Sequence, residues 1–91
     1  MNVVVDASIA LDLFTTSIHS AGYVRARALF QAIGDQAVVA SVPDHFSIEV
    51  ANAALKYQRR HRTIVKPKEA IEFLARLEKF PLNYVGYVLR A

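Results

Sequence analysis

Short apolar runs alternate along this chain with stretches in which apolar residues recur at helical spacing. Residues 3–5 are three valines in a row, too few for a helix, and they predict a buried strand. Residues 37–42 lie between a turn and Pro43 and predict a second strand. Residues 83–89 mix tyrosine, valine and glycine and predict a third, less regular strand.

Helices are predicted between these strands. Apolar positions repeat at spacings of three and four over residues 21–33, 44–60 and 66–79, and a shorter repeat follows Asp6. Asp44 is expected to cap the helix that it begins, and Gly34 to follow its helix as the C′ residue. The order β-α-α-β-α-α-β predicts an α/β protein with a parallel sheet, because helical crossovers join successive strands.

The helix predicted over residues 44–60 has two distinct faces. Its apolar stripe consists of Phe46, Val50, Ala53, Ala54 and Tyr57, widened by Ile48, Ala51 and Leu55. The opposite, polar face carries His45, Glu49, Asn52, Lys56 and Arg60. In the helix over residues 66–79, the residues expected to face inward are Ala70, Ile71, Leu74 and Leu77.

The composition adds that this chain has much apolar surface for its size. Its 91 residues suggest one domain. Of these residues 54% are hydrophobic, although small domains bury a smaller fraction of their surface than large ones do. We therefore expect either that a partner covers part of that surface or that part of the domain is absent. If the chain associates with itself, a two-fold homodimer is the commonest arrangement. The chain has no cysteine and no run that could span a membrane, which fits a cytoplasmic location.

Positive charge is concentrated in one segment, although the net charge is only +3. Six of the 11 lysine and arginine residues lie between Lys56 and Lys68. This concentration predicts an anion-binding patch. The alternative is a solvated helix end whose cations complement the helix dipole. The candidate phosphate-binding residues are Lys56, Arg59, Arg60 and Arg62.

Two carboxylates occupy positions that favour a ligand site. Asp6 lies where the first strand ends and a helix begins, and ligands of parallel sheets collect outside the carboxyl ends of the strands. Glu49 lies one turn into the helix that follows the second strand. Two such carboxylates could share Mg²⁺, which prefers oxygen ligands. The alternatives are that Asp6 is a helix cap, with Ser8 in the same turn, and that Glu49 is one polar residue on a solvated face.

The stretches VVVDASIALDLF and SVPDHFSIEVANAALKYQRRHR resemble the PIN-domain family, and within it the VapC-like ribonuclease toxins of toxin–antitoxin pairs. In that family a strand ends in Asp, followed by a small residue and Ser or Thr, as from Asp6 to Ser8. A later strand leads through proline into a helix with a Glu and often a nearby Asn, which Pro43, Glu49 and Asn52 match. The resemblance implies a three-layer fold with a short parallel sheet flanked by helices.

The resemblance also implies an activity. Family members are Mg²⁺- or Mn²⁺-dependent endoribonucleases, usually dimers, that a cognate antitoxin protein inhibits. Asp6 and Glu49 would be the metal-binding catalytic acids, Ser8 and Asn52 would support them, and the basic segment would contact RNA. The remaining acids of the family come from a later segment, and no Asp or Glu follows Glu78 here. We therefore expect residues 1–91 to be one PIN-like domain that is incomplete at its C-terminus.

Other protein classes match less well. A phosphatase of the aspartyl-phosphate type needs a second Asp two residues after the first, where this chain has Ser8. A receiver domain needs acidic residues before its phosphoacceptor strand, and these are missing too. The remaining alternative is a non-catalytic PIN-like module that binds RNA or protein without cleaving. The missing acids favour that alternative, whereas Asp6 and Glu49 oppose it.

Overall fold

The computed structural model describes residues 1–86, so the end of the predicted third strand lies outside the described residues. Strands and helices follow one another in the predicted order. The elements are β1 (Asn2–Val4), α1 (Ala7–Thr15), α2 (Ala21–Gly34), β2 (Val39–Pro43), α3 (Phe46–Arg60), α4 (Pro67–Leu77) and β3 (Leu82–Val85). No helix of this part is long and apolar enough to cross a membrane.

The sheet has β2 at its centre and is parallel throughout. Val3 of β1 and Leu82 of β3 both lie opposite Ala40 of β2. The backbone N–H of Val5 donates to the carbonyl of Ser41 at 2.9 Å, which extends the contact between β1 and β2 by one residue. The predicted α/β class and parallel sheet are therefore confirmed.

The helices of the described part lie on one face of the sheet. The strand order β1-β2-β3 means that both crossovers step in the same direction, and right-handed crossovers then place their helices on the same side. In agreement, α1 contacts α2 and α3, and α3 contacts α4. Ala40 and Val42 point into this layer and are buried, whereas Val4 and Val39 on the other face are 78% and 48% exposed.

The three-layer arrangement implied by the resemblance is not present within residues 1–86. Parallel sheets usually carry helices on both faces, but here Val4, Val39 and Val85 present one face to solvent. A right-handed crossover places its helix on that face only when it steps in the opposite direction across the sheet. The described part therefore has two layers, one of helices and one of strands.

The core lies between the helices and the covered face of the sheet. Phe30 of α2 is 2% exposed and contacts the ring of Phe80 edge-on, with the centroids 5.1 Å apart. Burial of such side chains supplies most of the stability of a small domain. The other buried residues of this core are Val5, Ala10, Ile33, Ala40, Val42, Phe46, Val50, Ala54, Phe73 and Leu77.

Three apolar side chains contradict the predicted helix faces. The pattern predicts Ile71, Ile48 and Leu55 on apolar stripes, but they are 61%, 66% and 36% exposed. Phe73 is buried instead of Ile71, because its ring stacks on Phe14 of α1 at a centroid distance of 4.9 Å. The polar Gln58 is also buried, and its amide donates to the carbonyl of Val65 at 3.1 Å. This bond satisfies the amide and ties α3 to the loop that follows it.

Two predicted helix ends also differ in detail. α3 begins at Phe46 with His45 at the N-cap, so Asp44 is one residue too early to cap it. Gly34 is the last residue of α2, and the left-handed backbone conformation occurs at Gln36, with φ 61°. Both differences are within the usual uncertainty of helix ends, and neither changes the order of the elements.

We predict that Phe73→Ala lowers the free energy of unfolding by about 3–5 kcal/mol, because it removes a buried ring and leaves a cavity. Ile71→Ala, at the exposed position two residues earlier, should change it by less than about 0.5 kcal/mol. Urea unfolding monitored by circular dichroism measures both. Equal losses in the two variants would contradict this packing of α4.

Candidate functional site

Acidic side chains follow two neighbouring strands at the same edge of the sheet. Asp6 lies two residues after β1, Asp44 directly follows β2, and Glu49 lies in the first turn of α3. Because β1 and β2 are parallel, their carboxyl ends share one edge, and α1 and α3 both begin there. This is the edge at which ligands of parallel sheets bind.

Asp6 caps α1. Its Oδ1 accepts hydrogen bonds from the hydroxyl of Ser8 at 2.6 Å and from the backbone N–H of Ile9 at 3.1 Å. The hydroxyl of Ser8, followed by the N–H of Ile9, holds the pKa of Asp6 below its ordinary value. The capping interpretation is confirmed, and the expected hydrogen bond from Ser8 to Asp6 is present, whereas a role of Ser8 in a metal site stays a prediction. The same bonds keep an exposed carboxylate ionised, as a metal ligand must be.

Glu49 lies against a histidine that also contacts a second acid. His45 Nε2 lies 3.2 Å from Glu49 Oε1, and its Nδ1 lies 3.3 Å from Asp44 Oδ1. All three side chains are exposed. The sequence pattern placed His45 and Glu49 on one helix face at a spacing of four residues but assigned no role to His45. The structure shows that this histidine contacts both Glu49 and Asp44.

The other predicted supporting residue, Asn52, is exposed on α3. Among residues 1–86 no hydrogen bond joins it to Glu49. Its spacing of three residues leaves it on the same side of the helix as Glu49. A supporting role for Asn52 stays a prediction.

The acidic residues at this edge provide only a small number of ligands for a cation. Within the described range, no group of three or more His, Asp or Glu side chains could together hold a metal ion. Asp6 and Glu49 offer hard carboxylate oxygens, and Mg²⁺ is commonly bound by one or two carboxylates and several waters. The chemistry of the donors therefore fits Mg²⁺ or Mn²⁺. The convergence of the two carboxylates on one ion stays a prediction.

A groove of about 550 Å³ lies between α1 and α3 beside this edge. On the α1 side it is lined by Ser8, the residue that bonds Asp6, and by Asp12. On the α3 side it is lined by Lys56 and Arg60, which lie one turn apart, and by His61 directly after the helix. The groove therefore extends from Ser8 to part of the basic segment, and neither Asp6 nor Glu49 is among its lining residues.

The basic segment divides into two groups. Lys56 and Arg60 line the groove, whereas Arg59 and Arg62 do not. The difference follows from helical geometry, since residues four apart share a face and Arg59 is rotated about 100° from Arg60. All four side chains are exposed. Phosphate binding by all four residues stays a prediction, but only two of them border the groove beside the acids.

Asp12 has a structural contact of its own. A Cβ atom placed on Gly22 would lie 3.1 Å from Asp12 Oδ2, so this carboxylate packs against the first turn of α2. Negative charge is stabilised at a helix N-terminus by the helix dipole. Asp12 is the acidic residue of α1. Its carboxylate contacts α2 and does not lie at the sheet edge with Asp6.

No protein-family model, curated protein or solved structure matches this chain. The resemblance to PIN domains therefore rests on the residues quoted above and on their order. The parallel sheet is compatible with that family but does not identify it, because many unrelated functions share α/β folds.

We predict that Ser8→Ala raises the pKa of Asp6 toward its ordinary value, because it removes the stronger of the two bonds to Oδ1. Carbon-13 NMR titration of the Asp6 carboxyl group measures the shift. Ser47→Ala is the matched control, since the Ser47 hydroxyl bonds Tyr84 at 2.7 Å and not Asp6. An unchanged Asp6 titration in Ser8→Ala would contradict the assignment.

The same pKa predicts the direction of a stability change with pH. A folded-state pKa below the unfolded value means that ionised Asp6 stabilises the fold at neutral pH. This contribution is lost as the pH falls through the lowered pKa, and Ser8→Ala should make it smaller. The effect should be modest, because Asp6 is exposed and solvent screens its interactions.

Proposed function

We propose that this chain is a PIN-like domain of the VapC-like, metal-dependent endoribonuclease type, with a two-acid metal site of low intrinsic activity. The observation that supports this most is the placement of Asp6 and Glu49 after neighbouring parallel strands, at the same edge of the sheet. Ser8, which bonds Asp6, also lines a groove bordered by Lys56 and Arg60, and these cations would attract a nucleic-acid backbone. We also propose that the protein is located in the cytoplasm.

The proposed roles follow from the contacts of each side chain. Asp6 and Glu49 would hold Mg²⁺ or Mn²⁺, while Ser8 orients Asp6 and His45 orients Glu49. Such an ion, when bound, makes a water acidic enough to attack a phosphodiester and neutralises charge on the phosphate. Lys56 would hold a phosphate of the substrate at the side of the groove.

A second candidate function is a non-catalytic PIN-like module that binds RNA or protein. One observation favours it: within residues 1–86 no third acidic or histidine ligand joins a metal-holding group. Two carboxylates alone bind a divalent ion weakly, because affinity rises with the number of charged ligands. Both candidate functions include RNA binding in the groove, but only the first includes RNA cleavage.

The proposal includes two protein partners, a second copy of the chain and a cognate antitoxin. Val4, Val39 and Val85 form an exposed apolar surface on the sheet, which is a feature of interaction sites. Self-association would shield such a surface from water. Static light scattering that shows a monomer at high protein concentration would argue against the homodimer.

We predict that Asp6 and Glu49 bind one divalent ion together. Asp6→Asn and Glu49→Gln should each weaken Mn²⁺ binding roughly tenfold or more in isothermal titration calorimetry, because each removes a charged ligand. Asn is also a good N-cap, so Asp6→Asn preserves α1. Asp35→Asn is the control, because Asp35 follows α2 and precedes β2 at the other edge of the sheet. Equal affinity in all four proteins would refute the shared site.

We predict that the 91-residue chain cleaves RNA only near background in Mg²⁺. The loss of one positioned electrostatic group commonly lowers a rate about 10²–10³-fold, and at least one acid of the family pattern is missing. Incubation with a structured RNA, followed by gel analysis, measures the rate. Robust Mg²⁺-dependent cleavage that Asp6→Asn abolishes would show instead that two acids suffice.

A further inference from the structure

Four aromatic rings contact one another in turn between the core and the end of α3. Buried Phe73 stacks on Phe14 at 4.9 Å, and Phe14 contacts Tyr57 edge-on at 5.7 Å. Tyr57 stacks in turn on His61, with the ring centroids 4.2 Å apart and the planes inclined by 28°. The last ring of this series, His61, is exposed and borders the groove between α1 and α3.

The imidazole of His61 is held in one orientation. Its Nδ1 lies 3.0 Å from the carbonyl oxygen of Tyr57, which can only accept, so Nδ1–H is the donor. The phenol ring of Tyr57 covers one face of the imidazole. His61 is exposed and lines the groove, so a planar ligand in the groove could reach its ring. An aromatic side chain that is already ordered loses little further entropy when it binds.

Cations lie next to this aromatic surface. Lys56 and Arg60 border the same groove as His61. A basic groove combined with an accessible ring is the arrangement that binds single-stranded nucleic acid, in which cations hold phosphates and rings stack on unpaired bases. A duplex offers its phosphates but keeps its bases stacked on one another. The combination therefore favours a single strand over a duplex.

We propose that His61 is a base-stacking residue for single-stranded RNA, with Lys56 and Arg60 binding the adjoining phosphates. The proposal rests on the proposed function in taking RNA as the ligand, and it adds the class of RNA and the residue that selects it. Ser8 lines the groove and also bonds Asp6, so a strand in the groove passes beside the acidic edge. Arg59 and Arg62 lie outside the groove and contribute little.

The test measures binding without cleavage. Fluorescence anisotropy with a labelled oligouridine of about 12 nucleotides, in EDTA, gives the affinity of the intact chain. His61→Ala should weaken binding about 5- to 100-fold, the effect of losing one base–aromatic stack. His61→Phe, which keeps a ring, should stay within about threefold of wild type. Binding of an RNA duplex of equal length should not change in His61→Ala.

A charge-matched pair of variants tests the groove itself. Arg60→Gln should weaken binding and lower the salt dependence by about one phosphate contact, whereas Arg59→Gln should do neither. Equal effects of these two variants would overturn the assignment of the groove. An unchanged affinity in His61→Ala, or equal losses for single strand and duplex, would overturn the stacking role. If the wild-type chain binds neither the oligouridine nor the duplex, this inference fails, whereas the proposed metal site is tested separately by the Mn²⁺ titration.

Discussion

The arrangement of this molecule depends on the pairing of β2 with a parallel strand on each side. That pairing brings the carboxyl ends of β1 and β2 to one edge, where Asp6, His45 and Glu49 follow the strands. Both helical crossovers therefore step in the same direction across the sheet, which places the helices on one face. Val4 and Val39 lie on the other face and are exposed. The candidate site and the bare face of the sheet thus have the same topological origin.

Structural roles and proposed functional roles coincide in several side chains. Asp6 caps α1, and the bonds that make it a cap also keep it ionised. Tyr57 packs against Phe14 on the inside and supports the ring of His61 on the outside. Because these residues belong to helices that form the core, the groove and the acidic edge are held in a fixed relation to each other.

The elements and their order could be predicted from local patterns, because short valine-rich runs and helical repeats are properties of neighbouring residues. The burial of Phe73 instead of Ile71 could not, because it depends on the ring of Phe14, which is distant in sequence. The bare face could not be predicted either, since it depends on which strands become neighbours. For His61, the spacing of four residues from Tyr57 is a sequence signal, because residues four apart are neighbours on a helix surface.

Paramagnetic broadening by Mn²⁺ tests most directly whether the sheet edge gathers Asp6 and Glu49 into one metal site. At low Mn²⁺ concentration, we expect the backbone amide signals of Ala7 to Ile9 and of Phe46 to Glu49 to broaden together. Signals at the opposite edge, such as those of Gln36 and Val38, should persist. Broadening around Glu49 without Ala7 to Ile9, or centred on another part of the chain, would contradict the shared site.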